Sequence, residues 1–246
     1  MRLLLVYILG FTLLLTSCSK DGTSAAADSS NTGTGGSLAR FTIAANHLYL
    51  ADYSTIEVYD LANPVDPVKK SSVNVGFTVE TIYPYGDKLF IGSTDGMFIY
   101  SITNPSSPVK LGEARHVRSC DPVVAKNNMA YVTLRGGRCG PAVDGLYIYD
   151  VSNISSPAQK SVFPLSNPGG LGIKDSVVFI CRSNAGLSLV NVKNPADPKL
   201  MYTITGGNYM DVIPYDNLLI CYVSTGLLIY DISNLHQVVK IGTINY

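Results

Sequence analysis

The sequence predicts an all-β chain, a five-bladed β-propeller made of four-stranded antiparallel blades, and three observations lead there. A pentapeptide recurs five times at a spacing near 40 residues, and the same Asn follows every copy. The composition is rich in glycine (22), proline (13) and tyrosine (16) and only 15% charged. That is the make-up of short strands and tight turns, and nothing beyond the first 17 residues keeps a helical period.

The chain of 246 residues is 46% hydrophobic, enough for a sizeable core. Its 18 basic and 18 acidic side chains cancel. With no positive field, binding to nucleic acid is not expected.

Arg2 is followed by an apolar run from Leu3 to Leu15, broken only by Gly10 and Thr12. This is short of the roughly 20 residues a spanning helix needs, and residues 1–17 read as a secretory signal. The run ends Leu15-Thr16-Ser17-Cys18. Residues 18–37, Cys18 and the stretch behind it, read as a flexible linker. From Ser19 to Ser37 only Ser, Gly, Thr, Ala, Asp, Lys and Asn occur, and such a coil reaches about 25 Å.

Residues 38–246 carry the repeat. Its centres are Ile56–Asp60, Met97–Ser101, Leu146–Asp150, Leu187–Asn191 and Leu227–Asp231, with Asn63, Asn104, Asn153, Asn194 and Asn234 behind them at intervals of 41, 49, 41 and 40. An apolar run precedes each centre across a short turn. The turns carry Asp95-Gly96, Ala185-Gly186 and Thr225-Gly226 in repeats two, four and five, and Asp-Gly suits a type I′ hairpin with positive φ at both central positions. A third strand precedes each hairpin and a fourth follows the Asn turn. Pro67, Pro108 and Pro198 open fourth strands, where a missing N–H is tolerated only at a sheet edge. Lys69, Lys110, Lys160, Lys199 and Lys240 guard that edge against further pairing. Four-stranded units of this length stack face to face around an axis.

Three resemblances rest on these residues. The centres IEVYD, MFIYS, LYIYD, LSLVN and LLIYD resemble the LVIVD repeat, a propeller-type repeat of bacteria and archaea. The segment ending in Cys18 resembles the lipobox of bacterial lipoproteins, which implies acylation of Cys18, cleavage before it and a membrane tether without a span. Ser19, Lys20 and Asp21 resemble the charged tag that follows the acylated Cys in some Bacteroidetes lipoproteins. The implied place is the outer membrane, periplasmic or surface-facing. Five repeats suffice to close a ring, so a monomer is expected, with association of two chains into a larger ring, or a truncated seven-bladed relative, as the alternatives.

The spacing of 49 falls in repeat three, between Leu134 and Gly145. An antiparallel meander puts this insertion on the face where the leading strands begin, and elaborated loops on a rigid scaffold are where binding usually lives. Arg135, Arg138 and Asp144 are the candidate contacts, with Arg118, His116 and Tyr209 around the rim. Cys120 and Cys139 lie on that face, and a disulfide between them is expected in an exported protein. Two free thiols, or a site shared with His116, are the alternatives. The ligand spacing is not compact, so no metal and no cofactor are predicted. Cys181 and Cys221 align with Leu50, Ile91 and Val132 as small core residues. Tyr59, Tyr100, Tyr149 and Tyr230 read as interblade core, Asp60, Asp150 and Asp231 as turn caps, and His47 and His236 as turn residues without partners.

Glu80, Asp121 and Asp211 begin leading strands and would approach the channel mouth, where some five-bladed glycosidases carry three acids. The expected function is a membrane-tethered, non-catalytic binding or scaffolding module for a protein or glycan partner. A secreted carbohydrate hydrolase using the channel-mouth acids is the alternative.

Overall fold

A computed structural model describes residues 35–116, 122–136 and 143–246. Among them there is no helix, and the strands form five four-stranded antiparallel sheets. Blade one contains β1 (Phe41–Ala44), β2 (His47–Asp52), β3 (Thr55–Asp60) and β4 (Val68–Asn74). Blade two contains β5 (Val79–Tyr85), β6 (Lys88–Ser93), β7 (Gly96–Ser101) and β8 (Val109–Arg115). Blade three contains β9 (Val123–Lys126), β10 (Met129–Leu134), β11 (Gly145–Asp150) and β12 (Ala158–Pro164). Blade four contains β13 (Leu171–Lys174), β14 (Val177–Cys181), β15 (Leu187–Asn191) and β16 (Lys199–Ile204). Blade five contains β17 (Tyr209–Tyr215), β18 (Leu218–Val223), β19 (Gly226–Asp231) and β20 (Val239–Asn245). Strand order within each sheet follows the chain, and the leading strands of successive blades pack together, β1 with β5, β5 with β9, β9 with β13 and β13 with β17. The result is a five-bladed β-propeller.

The repeat explains why these residues take these strands. Asp60, Ser101, Asp150, Asn191 and Asp231 end the third strands, and each side chain accepts the backbone N–H two residues on, from Ala62, Thr103, Ser152, Lys193 and Ser233. Such local capping ends a strand and starts a turn. The turn then closes on the Asn carbonyl, which accepts the N–H three residues on in all five copies. A register shift follows at the same place in every blade, for example between Ile99 and Tyr100 and between Ile148 and Tyr149. The bulge increases the twist of the outer strand.

The hairpins differ from the expectation in one respect. Type I′ geometry occurs in the first turn of the blade, at Ala45-Asn46 and Asn127-Asn128, where both residues have positive φ. In the second turn of blade two, Gly96 instead pairs with Ser93 and leaves Thr94-Asp95 at the centre. Gly96 is required because φ is 153° and a Cβ would strike the Ala114 carbonyl 2.6 Å away.

Central strands are sandwiched between neighbouring blades, so they read as apolar runs instead of alternating: all of Leu89 to Ser93 and of Val177 to Cys181 is buried. Cores lie between blades one and two, two and three, three and four, and four and five. Ile56, Val58, Met97, Ile99, Leu146, Ile148, Leu187 and Leu189 are fully buried, while Leu227 and Ile229 of blade five are half-buried. Tyr100, Tyr149 and Tyr230 are buried, and Tyr59 of blade one is not. These exceptions share one cause. No comparable core among the described residues joins blade five to blade one.

The ends meet at the axis instead. Ser37, the last residue read as linker, is buried, and its hydroxyl donates to Asp211 Oδ1 (3.1 Å) and accepts the N–H of Leu171 (2.7 Å). The N–H of Leu38 donates to Asp211 Oδ2 (3.2 Å). A side chain at Gly36 would collide with the same carboxylate. Ala39 then accepts the N–H of Ile82 (2.9 Å) and leads into β1.

Candidate functional site

The starts of the leading strands and the turns between second and third strands do share one face, and a central funnel opens on it. Its volume is about 510 Å³, and all five blades line it. Leu38 and Arg40 come from blade one, Val79 and Glu80 from blade two, and Pro122 and Arg135 from blade three. Pro168, Gly169, Gly170 and Ser183 come from blade four, with Tyr209 and Met210 from blade five. The wall is largely apolar, with two guanidinium groups and one carboxylate set into it. Arg40 is steadied by donation from Nη2 to the Val79 carbonyl (3.4 Å).

Of the residues singled out by sequence, Arg135, Glu80 and Tyr209 line this funnel. Tyr209 is almost fully buried, and its hydroxyl shares a hydrogen bond of 2.6 Å with that of Tyr230. Burial, more than that bond, pushes its phenol pKa upward.

Asp211 corrects the picture of a solvated acid at the channel mouth. Its carboxylate is occupied by Ser37, by the N–H of Leu38 and by its own neighbour Val212 (3.0 Å). Burial raises its pKa, and the hydrogen bonds from Leu38, Val212 and Ser37 oppose that rise. It is a tie between blade five and the leading segment.

Asp144 also works inside the scaffold. It accepts the N–H of Gly136 (3.0 Å) and that of Asn167 (2.8 Å), so it braces the base of the insertion against the connection into blade four. His116 lies apart from the funnel. It lines a second cavity of about 540 Å³ on the flank of blade three, with Glu113, Arg115, Tyr147 and Gln159. The described members of the proposed rim set therefore divide between two cavities, because His116 directly follows β8, the outermost strand of blade two, while Arg135 and Tyr209 lie at the axis. Cys18, Cys120, Cys139, Arg118, Arg138 and Asp121 lie outside the described residues.

The two buried cysteines show where repeat alignment failed. Cys221 pairs with Leu228 and holds the position of Ile91 and Val132. Cys181 pairs with Leu187, as Ala51 pairs with Ile56 and Gly92 with Met97. The turn of blade four is one residue longer than that of blade two, and a one-residue slip moves a side chain to the other face. Both thiols consequently belong to the core between blades four and five. His47 was also misread: it opens β2, is nearly buried, and bonds the Ala45 carbonyl (2.8 Å) and Ser106 Oγ (2.9 Å) of the next blade.

Sequence reasoning missed Arg40, Ser183 and the Pro168-Gly169-Gly170 stretch. The last was visible as a turn signal, and Gly170 is needed because a Cβ would press on the Met210 carbonyl 2.6 Å away. Among the described residues no group of three or more His, Cys, Asp and Glu converges as a metal site would require, and no helix is long and apolar enough to cross a membrane.

A repeat-built propeller with one central funnel is the class that this fold and site define. The LVIVD repeat matches residues 118–163, which span blade three, and the centres of the other blades follow the same pattern. No curated protein matches the chain. Solved structures resemble it in fold. A protein from Lactobacillus plantarum shares 11% identity over 81% of this chain and 68% of its own, with a TM-score of 0.65. The periplasmic gluconolactonase of Pseudomonas aeruginosa shares 13% over 81% and 67%, with a TM-score of 0.63. BamB from Moraxella catarrhalis shares 12% over 80% and 58%, with a TM-score of 0.56. The chain thus spans between 58% and 68% of the length of these three.

Proposed function

We propose that this chain is a non-catalytic binding module of the bacterial cell envelope, tethered through Cys18, that engages its partner at the central funnel. The carrying observation is the funnel itself: an apolar bowl of about 510 Å³ with Arg40, Arg135 and Glu80 set into its wall. Ligand sites are mostly concave and apolar with a few placed polar groups. The lipobox-like end of the leader, the linker and a rigid propeller support tethered display at the outer membrane. The partner's contacting group must be small enough for the bowl and mixed in polarity, as a projecting peptide segment or a glycan end is.

Binding is favoured over hydrolysis by the state of Asp211. A two-carboxylate mechanism needs both acids facing the substrate, and of the two channel-mouth acids described, Glu80 and Asp211, the second is engaged by Ser37, Leu38 and Val212.

Affinity capture from solubilised envelopes tests the reading. Wild type should recover partners that the doubly substituted Arg40→Glu, Arg135→Glu chain does not, and Cys18→Ala should move the protein out of the membrane fraction. Recovery of the same partners by both would remove the funnel as the contact. Hydrolysis of a glycan that is lost on Glu80→Gln would replace binding by catalysis.

A further inference from the structure

The seam between blades one and five is unlike the four other junctions. The strand positions that elsewhere pack blade on blade are exposed here. Blade one presents Phe41 (60% exposed), Ile43 (43%) and Leu50 (38%), and blade five presents Tyr222 (44%) and Ile244 (53%). The equivalences follow from strand pairing. Tyr222 pairs with Leu227 as Ala51 does with Ile56 and Cys181 with Leu187. Phe41 pairs with Leu50 as Ile82 does with Ile91 and Val212 with Cys221. Ala51 and Ile82 share the core between blades one and two, and Cys181 and Val212 share that between blades four and five. Phe41 and Tyr222 are therefore the corresponding pair for a fifth junction.

We infer that a second copy of this chain covers these faces, the blade-five face of one copy packing against the blade-one face of the next. Three observations select that occupant. The two faces are complementary by the same register that forms the existing junctions, so the chain carries both halves of the interface. Within one chain no core of the described residues joins them, and the described hydrogen bonds from the leading segment to blade five are those of Ser37 and Leu38 to Asp211 at the axis. The exposed side chains named are apolar or aromatic, which suits sheet-on-sheet burial, and on blade one they lie beside an internally neutralised pair, Glu57, the cross-strand partner of Leu50, with Lys69. Such a contact uses a different face on each partner. It closes into a small ring or continues head to tail, according to the angle it sets. It is independent of the funnel and of any ligand there.

Engineered cysteines test it. In the full chain carrying Phe41→Cys and Tyr222→Cys, mild oxidation should give disulfides between chains, and mixing the two single variants should give a mixed dimer. Both sites are exposed, so neither change threatens folding. Light scattering on unmodified protein should show a mass above that of one chain, and Ile244→Lys should lower it with an unchanged circular dichroism spectrum. A disulfide confined to one chain would mean that the seam closes on itself and would overturn the inference. A monomeric mass at every concentration, or an undiminished mass for Ile244→Lys, would overturn it as well.

Discussion

Asp150 and Asp211 are carboxylates whose surroundings pull in opposite directions. Asp150 caps its turn, and its pKa is held at about 2 by the Ser152 hydroxyl and N–H and then by Lys160. A carboxyl depressed in the folded state adds stability that is present above the unfolded value, near about 3.9, and is lost as pH falls through the folded one. Acid unfolding of Asp150→Asn should accordingly be less steep than wild type between about pH 4 and about pH 2. Asp211 is raised by burial, so its contribution is present below the unfolded pKa and fades as pH rises through the raised one. The Asp211→Asn variant should lose that decline, which a stability profile against pH would record. The thiols follow the same logic. Burial pushes Cys221 up to about 12 and Cys181 well above its ordinary value. Iodoacetamide at mild alkaline pH should label neither in the native protein and both after denaturation. The caps were legible because Asp, Ser and Asn recur at one phase of the repeat. Asp211 was not, since its burial depends on residues 36–38 folding back over it, and a stretch of Gly and Ser gives no such signal.

Strand positions that look equal in the repeat differ in energy by where their blade stands. Leu187 and Leu227 occupy the same slot in blades four and five, yet the first is fully buried and the second half-exposed. Truncation in a tight core forfeits transfer energy and leaves a cavity, whereas a site open on one side collapses or fills with water. Leu187→Ala should cost about 2–5 kcal/mol of unfolding free energy, and Leu227→Ala about 1 kcal/mol. Paired urea titrations would compare them, and equal losses would show that blade five is as enclosed as blade four. Strand identity, blade boundaries and the edge position of the Lys-bearing strands were readable from period, turn residues and proline placement. The register of β14 was not, because one extra residue in the turn at 182–186 leaves the apolar pattern intact while moving Cys181 to the opposite face.

For the molecule as a whole, five copies of one repeat form a single propeller whose blades share four cores and whose ends are joined by a side chain. The number of blades was countable in the sequence. The uneven burial around the ring was not, since a repeat has the same sequence whether or not a neighbour covers it, and Leu227 and Ile229 look in sequence like Met97 and Ile99. A smaller part of the candidate site was visible, namely Glu80, Arg135 and Tyr209. Insertion and strand starts located the face, while Arg40 and Ser183 belong to the funnel only because the ring brings them there. The most enclosed backbone lies in blades two to four, with blades one and five each lacking a packed face among the described residues. Native-state hydrogen exchange on dilute monomeric protein tests this most directly, because local opening follows missing packing. Amides of β6, β10 and β14 should exchange slowest and those of β2 and β18 faster. Equal protection of the second strand in all five blades would contradict the open seam and the account built on it.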